Sequence, residues 1–357
     1  MVFLKNLCNF VAVELIRRLK RLKYHLVAFL TVAIWGSTFV FTKLLLLAGL
    51  TPAQIFTLRF IIAYVLLALY CVCRNYFSKD SRTNKTFSKG RLKDRMRRDE
   101  EETVLQSCSP CKKEHRWLCH SWRDELLMVL LGVTGGSVYF LAENAAMLYT
   151  TATNTSLIVC SCPLFAMLLF AVFYRQSERI SRIQAVGSVV ACLGMAVVVL
   201  NGHFVLHLSP LGDLLAFAAC LCWAVYSILM QPALEHYTPL FITRKVFFYG
   251  LVTIIPYYLL KPEETWIFIP SILHSQLSIV NCFNLLFLGV VASMLCFLVW
   301  NWVIRELGAV VATNWVYFNP ITTILFAWAI LSEQITVFFL LGTVLILQGM
   351  YLADRKK

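Results

Sequence analysis

Ten apolar stretches recur along the chain, at 25–47, 52–73, 125–149, 152–174, 182–200, 211–231, 240–260, 279–303, 308–331 and 335–353. A helix of about 18 or more such residues crosses the hydrocarbon core of a bilayer, and in lipid only helices and closed barrels satisfy their own backbone. With 59% hydrophobic and 14% charged residues, the chain carries more apolar surface than one soluble core buries. The predicted fold class is all-α integral membrane, with ten transmembrane helices.

Charge orients these spans. The formal net charge of +13 would suggest nucleic acid in a soluble protein, but here the basic residues fall where membrane topology puts them, so no nucleic-acid partner is expected. With the N-terminus inside, 29 of the 32 Lys and Arg lie in cytoplasmic segments, six before the first span and fourteen in 74–123. Lys43 and Lys261 lie outside, and Arg59 falls within a span. The positive-inside rule therefore places both termini in the cytoplasm.

The flanking segments are read from their composition. Residues 1–24 place the apolar run Leu7 to Ile16 before the basic cluster Arg17 to Lys23, the reverse of a signal peptide's order, which predicts an uncleaved amphipathic interfacial helix. The insert 75–122 is polar and predicts a flexible cytoplasmic loop. Within it Cys108, Cys111, His115, Cys119 and His120 form a cluster whose first four members are weak candidate zinc ligands, too crowded for paired-knuckle spacing. The other cysteines are mostly scattered within spans and imply no disulfide framework. Neither a resident metal nor a cofactor is expected.

Sliding the chain along itself exposes a duplication. Leu131-Gly132-Val133 recurs as Leu288-Gly289-Val290, and Asn144 and Pro163 recur as Asn301 and Pro320, each at an offset of 157. Past a short insertion near Arg175 the offset becomes 155, pairing Glu178 with Glu333, Gly187 with Gly342 and Gly194-Met195 with Gly349-Met350. Weaker matches relate Trp35 to Trp223 at 188, and Thr51-Pro52 to Thr238-Pro239 at 187. Spans 1–5 thus duplicate spans 6–10. Five is odd, so the second copy enters the membrane from the opposite side, and an inverted repeat of this kind typifies secondary transporters with a midplane site between the halves.

The sequence also resembles the EamA family of the drug/metabolite transporter superfamily, with two EamA repeats. The resemblance rests on Ala33-Ile34-Trp35-Gly36-Ser37-Thr38, on Leu58-Arg59-Phe60, and on Ala142-Glu143-Asn144-Ala145-Ala146 through Pro163. In the second half it rests on Gly212-Asp213-Leu214-Leu215-Ala216, Asn319-Pro320 and Glu333. It covers roughly 25–74 and 124–353. The insert is longer than the family's usual loop there, and Gln176 stands where many members carry an acid, with Glu178 two positions on. The implied domains are a basic N-terminus (1–24), a first EamA repeat (25–200, with the insert 75–122), a second repeat (211–353) and a cytoplasmic tail (354–357). The resemblance implies a transporter of metabolites, amino acids or drug-like solutes, without a cofactor, in a bacterial inner membrane.

Candidate transport residues follow from cost. Ionisable groups inside a bilayer need a partner or a function, and Arg59 and Glu143 both sit about 8–10 Å below the outer surface at ~1.5 Å per residue. They are expected to meet as an ion pair, or Glu143 to carry a proton as the site changes face. The family resemblance places Trp35, Thr38, Tyr139, Asn154, Trp223, Tyr226, Trp300, Asn314 and Tyr317 around the central cavity, where aromatic walls favour neutral or zwitterionic solutes. Pro163 and Pro320 remove mid-helix hydrogen bonds to Val159 and Val316, predicting kinked helices. Gly187, Ala191, Gly194, Gly342 and Gly349 form small-residue faces suited to close packing or to a homodimer.

Other classes lack their chemistry. No His-Glu-x-x-His, Gly-x-Ser-x-Gly or nucleotide-binding Gly-x-x-x-x-Gly-Lys motif occurs, which speaks against an intramembrane enzyme and a lone ATP-driven pump. A nucleotide-sugar or sugar-phosphate exchanger of the same superfamily is the alternative transporter, but it would want several cationic cavity residues. The expected partners are a small-molecule substrate and membrane lipid.

Overall fold

The computed structural model describes residues 2–85, 117–150, 152–173, 181–200, 209–265, 279–331 and 337–354. Every regular element among them is helical: α1 (Val2–Leu47), α2 (Pro52–Lys85), α3 (Trp122–Tyr149), α4 (Ala152–Val159), α5 (Cys162–Phe173) and α6 (Arg182–Leu200). There follow α7 (Pro210–His236), α8 (Pro239–Leu260), α9 (Ile279–Leu307), α10 (Ala309–Asn314), α11 (Asn319–Leu331) and α12 (Val337–Asp354). Seven helices among the described residues are long and apolar enough to cross a membrane, and three further apolar helices are shorter. The chain is an integral, multi-pass membrane protein.

Local chemistry sets where the helices begin. Thr51 and Gln54 cap α2 reciprocally, Thr51 N–H donating to Gln54 Oε1 at 3.1 Å and Gln54 N–H to Thr51 Oγ1 at 3.3 Å. Ser181 and Gln184 do the same for α6, the reciprocal box that satisfies two otherwise orphaned donors. Ser209 and Thr238 cap α7 and α8, each followed by a proline at the first helical position, where the missing N–H costs nothing. At the other ends Gly49 terminates α1 and Gly308 joins α9 to α10, at φ of 93° and 82°. That left-handed region suits only glycine without strain.

Two expected boundaries differ. The helix predicted to end at 73 runs on to Lys85, because Arg74–Lys85 contains neither Gly nor Pro and leaving the membrane does not require leaving the helix. The expected interfacial helix in 1–24 is continuous with the first span as the single α1.

Helix irregularities fall at matching places. A π-helical segment interrupts α3 at Val133–Ser137 and another interrupts α9 at Phe287–Leu295. The fourth stretch breaks at Cys160–Ser161, between α4 and α5, and the ninth passes through the 3-10 turn Trp315–Phe318 before Pro320. These are breaks rather than gentle kinks. Pro163 and Pro320 explain the latter two, since proline offers no N–H to the carbonyl four residues earlier and its ring clashes there.

The packing is paired in the same way. Helix α1 lies against α9 and α11, whereas α7 lies against α3 and α5; α2 packs on the π segment of α9, whereas α8 packs on α3 and its π segment. The most extensive contact joins α6 to α12. A Cβ placed on Gly349 would lie 2.3 Å from Ala191 N, and one on Gly194 would lie 2.6 Å from Ile346 N, so only hydrogen fits between the backbones. The small-residue faces predicted for packing or dimerisation thus meet each other within one chain.

Candidate functional site

At the centre of the bundle, a narrow cleft with a cavity volume of about 30 Å³ lies among helices from both halves of the chain. Helix α1 supplies Trp35, Thr38 and Phe39, α2 supplies Arg59, and α3 supplies Tyr139, Phe140 and Glu143. Trp223 comes from α7, Phe297 from α9, Val159 and Cys162 from either side of the break between α4 and α5, and Val316 and Asn319 from the 3-10 turn and the start of α11. Both proline-linked breaks therefore border the cleft.

Arg59 and Glu143 are 2% and 8% exposed, and both face this cleft. They form no direct ion pair, which corrects the expected pairing. Arg59 Nε instead donates to Ser293 Oγ on α9 at 2.9 Å, with the guanidinium carbon 4.3 Å from the centre of the Phe140 ring. That stacking is a cation–π contact. Its terminal nitrogens make no hydrogen bond among the described residues. Glu143 Oε1 accepts from Tyr139 OH, one helical turn earlier, at 2.8 Å. A cation and a carboxylate thus share one buried cleft, each held by a neutral neighbour.

The walls are aromatic. The Trp35 ring centre lies 5.3 Å from Trp223, 5.0 Å from Trp300 and 5.8 Å from Phe297. Trp223 in turn sits 5.1 Å from Tyr139. Trp35 Nε1 donates to the Ala292 carbonyl at 2.9 Å within the π segment of α9, so that ring is fixed. Trp223 Nε1 and Asn319 Oδ1 are buried and find no partner among the described residues. Buried groups of this kind are costly when unpaired.

The predicted residues divide. Trp35, Thr38, Arg59, Tyr139, Glu143 and Trp223 line the cleft. Trp300 and Tyr226 do not: Trp300 is fully buried behind Trp35, and Tyr226 OH is spent on Asn301 Oδ1 at 2.8 Å. Tyr317 is fully buried outside the cleft. Asn314 lines a second cavity instead. The Asn154 side chain lies outside the described residues, as do Gln176, Glu178, Glu333, Cys108, Cys111 and His115. Cys119 is half-buried, and its N–H donates to Glu125 Oε2 at 3.0 Å; burial, then the hydrogen bond with Glu125, push its thiol up to about 12.

Sequence reasoning missed Phe39, Phe140, Val159, Cys162, Phe297, Val316 and Asn319 as cleft residues. It also missed a tie at the end where α3 begins. There Glu125 accepts from both Lys245 and Tyr249 of α8. Asn319 carried a readable signal, since a buried amide beside a helix-breaking proline leaves polar atoms at the break; Glu125 and Lys245 showed only as charges near span ends.

Comparison with known proteins identifies the class. The EamA-like transporter family matches the chain over residues 110–200 and 210–353. An uncharacterized transporter of Archaeoglobus fulgidus is 24% identical over 338 residues, covering 94% of this chain and 98% of that one. A protein of Streptantibioticus cattleyicolor named a probable terminal-alkyne amino-acid exporter is 27% identical over 66% of this chain and 74% of its own. One of Salmonella typhimurium, named a probable amino-acid metabolite efflux pump, is 27% identical over 55% of this chain and 65% of its own. A solved crystal structure superposes with a TM-score of 0.63 at 16% identity, covering 93% of this chain and 95% of that one, which speaks to the fold. The protein is a small-molecule transporter, not an enzyme, and belongs to the EamA-like transporter family.

Proposed function

We propose that the chain exports small zwitterionic or neutral metabolites, amino acids among them, by alternating access between two inverted five-helix halves. In this reading the seven long helices and the three shorter apolar ones make ten spans, with both termini in the cytoplasm. Residues related by the duplication meet one another, as expected on a pseudo-two-fold axis: Trp35 with Trp223, Phe60 with Phe247 at 4.9 Å, and Phe140 with Phe297 at 6.2 Å. The π segments, the proline breaks and the helix contacts repeat in the same register, which also supports two equivalent halves that rock about the site.

The observation that carries the substrate reading is the cleft itself. Arg59 can meet a carboxylate and Glu143 an ammonium, while Trp35, Trp223 and Phe297 offer a surface to an apolar side chain. One cation and one carboxylate among the lining groups suit a zwitterion better than a diphosphate, so the nucleotide-sugar alternative ranks second. The names of the two bacterial relatives, an exporter and an efflux pump, favour outward movement of amino acids.

The test is efflux of radiolabelled amino acids from proteoliposomes across pH. Arg59→Lys is expected to lower the rate at least about tenfold, because an ammonium cannot stack on Phe140, bond Ser293 and grip a carboxylate together. Glu143→Gln is expected to flatten the pH profile, if the carboxylate loads and unloads a proton between faces. Wild-type rates and profile in both variants would remove these residues from transport.

A further inference from the structure

The π segment of α9 holds two cleft side chains through two consecutive residues. Trp35 Nε1 donates to the Ala292 carbonyl at 2.9 Å, and Arg59 Nε donates to the Ser293 hydroxyl at 2.9 Å. The widened helical register explains the first bond. Cys296 N–H reaches the Ser293 and Val291 carbonyls and passes over that of Ala292, which it would satisfy in a regular α-helix. Trp35 of α1 takes up the carbonyl left over. Ser293 is wholly buried, and a Cβ on Gly289, four residues earlier, would lie 2.8 Å from the Ile62 side chain. Helices α2 and α9 therefore meet here without slack.

The bond to Arg59 does not belong to the duplicated framework. At the 157-residue offset Ala292 and Ser293 correspond to Gly135 and Gly136, and at the 187-residue offset Arg59 corresponds to Val246. The π segment of α3 thus offers no hydroxyl, and its half has no second guanidinium to hold. Glycine and valine satisfy the packing at the matching places, so the hydroxyl and the guanidinium answer to the cleft. The shape of the guanidinium shows what Ser293 does to it. Its five N–H groups lie in one plane, and a carboxylate makes a two-point contact either on the edge that includes Nε or on the end formed by the two terminal nitrogens. Ser293 occupies Nε, while Phe140 covers one face, its ring centre 4.3 Å from the guanidinium carbon. Only the end-on contact remains.

We propose that Ser293 is a positioning residue that sets specificity in transport: by closing the Nε edge of Arg59 it presents the two terminal nitrogens, end-on and in one orientation, to the carboxylate of the solute. This rests on the amino-acid reading of the cleft, and it adds that the preference for an amino acid over the amine lacking its carboxylate depends on a residue that never touches the solute.

Two measurements on the full chain test it. In proteoliposomes carrying leucine or its decarboxylated amine, 3-methylbutylamine, Ser293→Ala is expected to raise KM for leucine about tenfold, with the maximal rate and the KM for the amine within about twofold of wild type. Ser293→Thr, which keeps the acceptor, is expected to restore the preference. Independently of any solute, Arg59 of the purified protein is modified with phenylglyoxal and its peptide followed by mass spectrometry. Releasing Nε in Ser293→Ala is expected to raise the rate about threefold or more, and Ser293→Thr to return it toward wild type. Unchanged Arg59 modification in Ser293→Ala, or equal losses for leucine and the amine, would overturn the proposal. Faster Arg59 modification in a protein whose wild type carries no leucine would support the hold on Arg59 and fault the amino-acid reading alone.

Discussion

Arg59 and Glu143 show how a membrane interior can hold opposite charges without joining them. Each rests on a neutral neighbour, Ser293 with Phe140 for the cation and Tyr139 for the carboxylate, and in the proposed function both engage the solute. Their location was readable because a charge stands out in an apolar run. Their partners were not, because partnership depends on which way two helices are turned, and helices that are apolar all round carry no amphipathic stripe to show it. Trp223 gives the sharpest test at this scale. Trp223→Phe keeps an aromatic ring and deletes the unpartnered Nε1, so it should leave the unfolding temperature within a few degrees while lowering amino-acid efflux. A large drop in thermal stability with normal efflux would make that nitrogen a structural group.

Among the elements, α6 and α12 depend most on the absence of side chains. Gly349→Leu drives a side chain into the Ala191 backbone, and Gly194→Leu does the same at Ile346. Each should cost about 1–3 kcal/mol, the usual penalty of overpacking, and lower the melting temperature in detergent. Leu341→Ala, on the exposed face of α12, serves as the control and should change little. The glycine positions were legible as small-residue faces, but their use was not. The same pattern serves a dimer as well as an intramolecular contact, and only the tertiary arrangement assigns it. Proline behaved differently: Pro163 and Pro320 announced the breaks in their helices because the reason is covalent.

For the whole molecule, the informative contact is the tie between Glu125 of α3 and Lys245 with Tyr249 of α8. It joins α3 to α8, so in the proposed rocking mechanism opening this end releases it. The pair is nearly buried, at 14% and 6% side-chain exposure. Lys245→Met alone should therefore cost about 3 kcal/mol by stranding the Glu125 carboxylate, whereas Glu125→Leu with Lys245→Met should cost distinctly less. A double-mutant cycle by thermal or denaturant unfolding reads the coupling, and additive losses would show that the two do not act as a pair. Both single variants should also make cleft residue Cys162 more reactive to a thiol reagent applied from that side.

What the chain's letters determined was whatever depends on covalent structure or on the solvent: helices long enough for lipid, breaks at proline, turns at Gly49 and Gly308, and two charges that must be accounted for. The 157-residue offset relates Phe140 to Phe297, but their contact came only with the tertiary structure. Tertiary structure alone decided how each apolar helix is rotated. That rotation turned Trp223 and Asn319 toward the cleft, withdrew Tyr226 and Trp300 into the aromatic core, and moved Asn314 to a separate cavity. The reason is that lipid and protein interior are nearly equivalent surroundings for an apolar side chain, so hydropathy fixes depth along a span but not direction around it.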